Sequence, residues 1–184
     1  MSLDDALSRR FAEITEEIHG LYSAADDEEW SSSPFGWIKT KASRTVGTIG
    51  EKLVAAWCDD LGLDVVRTGD TEADRLVEGH RVEIKFSTRW QNGEYRFQQI
   101  RDQRYDFLIA LGLSPSSVHG WMIPKSVLLE HVIGQMGQHT GAGAADTDWL
   151  AVVPGEEPPW LRACGGSLGD VTVILETLRR PVRD

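Results

Sequence analysis

Apolar positions follow several distinct rhythms along the 184-residue chain. Leu3, Leu7, Phe11, Ile14, Ile18 and Leu21 recur at steps of three and four, which puts them on one face of a helix over residues 3–21. The stretch that follows, Asp26-Asp27-Glu28-Glu29 and then Ser31-Ser32-Ser33-Pro34, has no apolar rhythm and reads as a solvated linker or loop. A second helix is expected from Gly47 to Leu61, with Ile49, Leu53, Val54, Ala56 and Trp57 on its apolar side and Gly62 as its terminator.

Beyond that glycine the period shortens to two. Residues 63–67 read as a strand, and residues 72–78 and 81–87 as two strands joined by a tight turn at Glu78-Gly79-His80. Residues 95–99 fit either a strand or a helix entry. The run from Asp106 to Leu113 is continuously apolar after its first residue, as a buried central strand is. A strand over 118–123 stops at Pro124, a helix is expected over 125–134, and the Gly/Ala-rich residues 137–146 read as a loop. A strand over 149–153 and a strand or helix over 171–178 complete the order, without an internal repeat. That order predicts an α/β (α+β) fold with a mixed central β-sheet flanked by helices. It also divides the chain into an N-terminal amphipathic helix with its acidic linker (1–36) and one globular domain (37–184).

With 41% apolar residues the chain has enough to build a core. Cys58 and Cys164 lie far apart, match no metal-ligand spacing and border apolar runs, so both are expected as buried free thiols, in keeping with a reducing cytoplasm. The acidic start has no signal-peptide pattern, and no stretch approaches the roughly 20 apolar residues of a membrane helix. The expected location is cytoplasmic. Net charge is −10 but unevenly spread: residues 1–36 carry −7, residues 37–104 carry +1 with 12 basic side chains, and residues 105–184 carry −4. Affinity for phosphate depends on a local patch, so the basic middle third keeps nucleic acid open as a partner.

That middle third also holds the informative segment. In a strand over 81–87, Glu83 and Lys85 share one face while Val82, Ile84 and Phe86 point to the other. A hairpin turn at 78–80 returns the preceding strand, so Asp74 is expected beside them on the shared face. Two carboxylates and an ammonium suit phosphodiester hydrolysis. Hard oxygens hold Mg²⁺, with the Ile84 carbonyl placed as a further ligand. The ion stabilises charge on phosphate and activates water, and the lysine holds that water or the developing charge. Asp70 and Glu72 alternate onto the same face and compete with Asp74 for its place.

Asp74, eight residues and then Glu83-Ile84-Lys85 resembles the D-x(n)-E-x-K signature of the PD-(D/E)XK, or restriction-endonuclease-like, nuclease superfamily, type II restriction endonucleases in particular. Ala73 stands where the family name has proline. The resemblance covers about residues 45–125. It implies a restriction-endonuclease-like core, Asp74 rather than Asp70 or Glu72 as the first carboxylate, and Glu51, in Gly47-Thr-Ile-Gly50-Glu51, as a helical contributor to the metal site. It also matches Phe97-Gln98-Gln99-Ile100-Arg101 to a polar helix start ahead of the buried strand. The implied activity is a Mg²⁺-dependent endonuclease acting on double-stranded DNA, with Mn²⁺ able to substitute and a homodimer as the assembly of small restriction enzymes. A structure-selective repair or recombination nuclease of junction-resolving type, and a non-catalytic DNA-binding subunit of a defence complex, are the rival readings.

Lys39, Lys41 and Arg44 are the first candidates for phosphate contact. Ser87, Arg89, Gln98, Gln99 and Arg101 follow, with Arg96 and Arg104 beside them. Trp37 and Trp90 neighbour these cations and fit either DNA packing or a core or lid role, whereas Trp57 and Trp121 read as core. The five histidines form no HNH or H-x-E pattern, neither Ser87 nor Ser167 has a histidine partner nearby, and no phosphate-binding Walker loop occurs.

Overall fold

A computed structural model of the chain describes residues 26–135 and 147–179. The helix expected over 3–21 and the loop over 137–146 lie outside the described residues. The other expected elements are present within a few residues. Helices α1 (Asp26–Ser31), α2 (Gly36–Lys39) and α3 (Ser43–Asp60) lead into strands β1 (Val65–Arg67), β2 (Arg75–Val77), β3 (His80–Thr88), β4 (Tyr95–Ile100), β5 (Phe107–Leu113) and β6 (Val118–Pro124). Helix α4 (Lys125–His131), strand β7 (Asp148–Val152) and helices α5 (Pro159–Arg162) and α6 (Leu168–Glu176) follow.

The central sheet has five strands in the order β1-β2-β3-β5-β6. It is mixed: β3 and β5 run parallel, with Glu83 opposite Leu108 and Lys85 opposite Ala110, while the other pairs are antiparallel. Strands β4 and β7 form a separate antiparallel ribbon. Alternation along each strand assigns the two faces. Val82 and Ile84 of β3, Ile109 and Leu111 of β5 and Met122 of β6 pack with Val54 and Cys58 of α3 and with Val171 and Leu175 of α6. Leu108, Ala110, Trp121 and Ile123 face the other way, under Tyr95, Phe97 and Ile100 of β4 and Leu150 and Val152 of β7. On that second face β3 presents Glu83, Lys85 and Ser87.

Three local features fix the frame. Glu78 and Gly79 adopt φ of 50° and 82°, which joins β2 to β3 through a two-residue turn with Val77 opposite His80. Gly62, at φ 73°, ends α3, and the Leu63 N–H closes back on the Cys58 carbonyl at 3.1 Å. Helix α3 approaches β3 so closely that a Cβ on Gly50 would stand 2.2 Å from the Phe86 Cβ.

Four readings change. The acidic run expected as a linker forms α1, because Trp30 anchors it: this side chain is 3% exposed and packs with Ile38 and Leu113. The second helix starts at Ser43, since residues 43–46 hold no glycine or proline to break it. The segment 97–101, matched to a polar helix start, is strand β4 and its exit, held by pairing with β7. Residues 171–178, left as strand or helix, are mostly helix α6, opened by a capping box between Ser167 and Asp170. Cys58 and Cys164 are buried free thiols, and Trp121 is fully buried.

Candidate active site

The edge of β3 is only partly covered. β2 pairs with it from His80 to Val82 and then ends. One residue before β2, the Asp74 N–H donates to the Val82 carbonyl at 3.0 Å, and beyond that point no strand among the described residues continues the ladder on this side. The Asp74 carboxylate takes over: its Oδ2 accepts the Ile84 N–H at 2.7 Å. Within a strand a residue's N–H and C=O point the same way, so the Ile84 carbonyl faces this same open edge. Asp74 is therefore tied to the Glu83-Ile84-Lys85 triplet from the strand edge, through the Ile84 backbone, a bond the hairpin register alone does not specify.

Glu83 and Lys85 do share a face, and their side chains meet, Nζ to Oε1 at 2.7 Å. Glu83 is 8% exposed. Glu51 arrives from α3, one residue past the Gly50–Phe86 contact, and its Oε2 lies 3.7 Å from Arg75 Nη2. The same arginine donates to the Asp74 carbonyl at 2.6 Å. Asp70 and Glu72, the competitors for the first carboxylate, are engaged elsewhere: Asp70 with Arg81 at 2.6 Å and Glu72 with Arg104 at 3.6 Å.

Glu51, Asp74, Glu83, Ile84 and Lys85 line one cleft of about 890 Å³. Burial pushes the Glu51 carboxyl above its ordinary value and the Asp74 charge adds to the effect, against Arg75 and Lys85. Burial also pushes Glu83 up, opposed by Lys85 and reinforced by Asp74 and Glu51. Three carboxylates thus repel one another in a partly dry cleft. Among the described residues no group of three Asp, Glu, His or Cys stands ready as a metal cage. The donor chemistry nevertheless fits a hard divalent cation: carboxylates and a backbone carbonyl, without Cys or His. Each carboxylate engages its neighbours through one oxygen, and a cation would relieve the repulsion that adds to burial in raising Glu51 and Glu83.

The positive side chains divide into two sets. Lys39, Lys41 and Arg44, from α2, the loop after it and the first turn of α3, line the cleft, as do Arg96 and Trp90. Lys39 also lies 4.7 Å from the Trp30 ring centre. Arg89, Arg101 and Arg104 are not among the lining residues. Arg89 instead holds Glu29 of α1. Ser87 lines the cleft, but its hydroxyl accepts the Arg96 N–H at 3.0 Å and donates to the Thr88 carbonyl at 3.0 Å, so it fastens β4 to β3.

Gln98 and Gln99 both line the cleft through a bulge. Phe97 pairs with Leu150 and Ile100 with Asp148, so two glutamines stand opposite the single residue Trp149. Gln99 adopts φ 58°, an unusual conformation for a residue with a side chain. The bulge keeps Phe97 and Ile100 in the core while both amides stay exposed. The sequence singled out the two glutamines but carried no signal for a bulge.

No family model matches the sequence, and no curated protein matches it. Among solved structures the fold is similar to that of a bacterial homing endonuclease, I-Ssp6803I, with a TM-score of 0.47 and 16% identity, over 75% of this chain and 94% of that one.

Proposed function

We propose that the chain is a Mg²⁺-dependent endonuclease that hydrolyses phosphodiester bonds in double-stranded DNA, of restriction type, a hydrolase acting on ester bonds. One observation carries this reading: the open edge of β3 brings the Asp74 carboxylate onto the Ile84 amide, next to the Glu83–Lys85 pair, inside a cleft that Lys39, Lys41 and Arg44 also line. Mg²⁺ held by Asp74, Glu83 and the Ile84 carbonyl, with Glu51 completing the set, would supply charge stabilisation for a phosphoryl oxygen and an activated water.

The chain's own residues do the rest. Lys41 and Arg44 pull the DNA backbone towards the carboxylates, which on their own would repel phosphate. Lys85 leaves Glu83 for the phosphate side, where its ammonium orients the attacking water and stabilises charge as one P–O ester bond breaks. Glu83, freed from its lysine, would then be available to hold the cation. Gln98 and Gln99 present amides to the same space and suit sugar-phosphate or base-edge contacts.

A second reading, a structure-selective repair or recombination nuclease, is favoured by the exposed indole of Trp90 at the cleft. The two readings share the chemistry and differ in the DNA taken. Incubation of plasmid and phage DNA with the protein and Mg²⁺ separates them: discrete fragments support restriction-type cutting, nicks or smears support structure selection, and a folded protein that cuts neither contradicts both. A homodimer and a cytoplasmic location remain part of the proposal. No helix among the described residues is long and apolar enough to cross a membrane.

A further inference from the structure

Trp90 stands in the turn between β3 and β4 and lines the cleft that holds Glu83 and Lys85. It is 45% exposed, unusual for so large an apolar side chain. Its position is fixed by the turn: the Trp90 N–H donates to the Glu94 carbonyl at 2.9 Å, and the Gly93 N–H, at φ 87°, donates back to the Trp90 carbonyl at 2.9 Å. One indole face is already covered. The Arg96 guanidinium lies 4.1 Å from the ring centre, and it is itself held by Glu94 and by the Trp149 ring at 5.5 Å. Trp90 and Arg96 both line the cleft, and nearly half of the Trp90 surface stays accessible there.

An aromatic face held in place, with a cation behind it, meets a second π-surface at low entropic cost. In an intact duplex the bases are stacked on one another and offer only their edges in the grooves. A base presents its face only after leaving the stack. Lys41 and Arg44 in the same cleft select the polyanion that carries such a base, over an apolar peptide.

We propose that Trp90 is a stacking platform for a nucleotide that has left the helical stack next to the phosphate held at Asp74, Glu83 and Lys85, so that the preferred substrate is DNA with an unpaired or extruded base. The inference rests on the nuclease reading above, in its structure-selective form, and adds the class of DNA.

The test is binding in EDTA, where no cutting occurs, monitored by fluorescence anisotropy with a labelled perfect duplex and the same duplex carrying an unpaired-nucleotide bulge. The wild-type protein is expected to bind the bulged duplex more tightly, by about 5- to 150-fold for one stacked base. Trp90→Ala is expected to abolish that preference by weakening the bulged duplex far more than the perfect one, while Trp90→Phe keeps most of it. Matching circular dichroism melts establish that each variant is folded. Equal affinities in the wild-type protein, or an equal weakening of both DNAs by Trp90→Ala, would overturn the inference and leave the nuclease reading standing. A folded wild-type protein that binds neither DNA, in EDTA or with Ca²⁺ in its place, would remove both.

Discussion

The Asp74 carboxylate accepts the backbone N–H of Ile84 at 2.7 Å, and this bond substitutes for the ladder pairing that β2 stops short of making. A single residue thus terminates one strand pairing and points a carboxylate along the exposed edge of its neighbour. The bond also ties Asp74 to the middle of the Glu83-Ile84-Lys85 triplet, so the two halves of the site cannot drift apart without breaking it.

Asp74→Asn isolates charge from geometry, because an asparagine oxygen still accepts from Ile84. Removing the charge relieves the repulsion that helps to raise Glu51 and Glu83. Without metal the variant is therefore expected to melt about 2 °C higher than the wild type. Added Mg²⁺ or Mn²⁺ is expected to raise the melting temperature of the wild-type protein through preferential binding to the folded state, and to leave that of the variant nearly unmoved. Scanning calorimetry with and without metal checks both; a variant that melts lower yet still responds to metal would contradict the placement of charge.

Gly50 lies within helix α3, where alanine is ordinarily the more stable residue by about 1 kcal/mol. Here the sign is expected to reverse. A Cβ at Gly50 would press on Phe86, so Gly50→Ala must push α3 away from β3, at about 1–3 kcal/mol, and shift Glu51 out of the cleft. Urea unfolding measures the stability and the metal-induced shift reports Glu51. A stabilised Gly50→Ala protein would contradict the close approach of helix and strand.

The basic lining makes a prediction in salt. Replacing Lys41 or Arg44 with alanine is expected to lower the slope of log affinity against log salt by about one for each phosphate no longer neutralised. Arg89→Ala is expected to leave the slope unchanged, since that guanidinium holds Glu29 of α1, outside the cleft. DNA titrations over a range of potassium chloride concentrations distinguish the two sets.

Alkali should weaken the fold through Cys58, whose thiol is pushed up to about 11 by burial. The folded state holds the proton more tightly than the unfolded chain, with its ordinary value of 9.0. This contribution is complete below pH 9 and disappears as the pH climbs from 9 towards 11. Tyr95, pushed from 10.0 to about 12 by burial, adds a second loss over the next interval. Urea midpoints at a series of alkaline pH values are expected to fall for the wild type and to fall less for Cys58→Ala between pH 9 and 11.

Much of this was legible in the sequence because it rests on short periods. Val82, Ile84 and Phe86 alternate with Glu83, Lys85 and Ser87 whatever surrounds them, and Glu78-Gly79 encodes the turn that sets their partner strand. What stayed hidden depends on residues distant in sequence. Trp30 turns an acidic run into a helix only because Ile38 and Leu113 stand ready to receive it. Gln98 and Gln99 occupy a bulge because Phe97 and Ile100 must both reach the core opposite a β7 strand some fifty residues away. The ion pairs that separate Asp74 from Asp70 and Glu72 likewise involve Arg81 and Arg104, which local pattern does not assign.

The most direct measurement is cleavage of supercoiled plasmid DNA by the wild-type, Asp74→Ala and Lys85→Ala proteins, with Mg²⁺ and with EDTA. Scission that needs Mg²⁺ and falls by at least about 100-fold in both variants is the expected result. Cutting that survives in either variant, or a folded wild-type protein that binds DNA and leaves it intact with Mg²⁺, would contradict the assignment of this site.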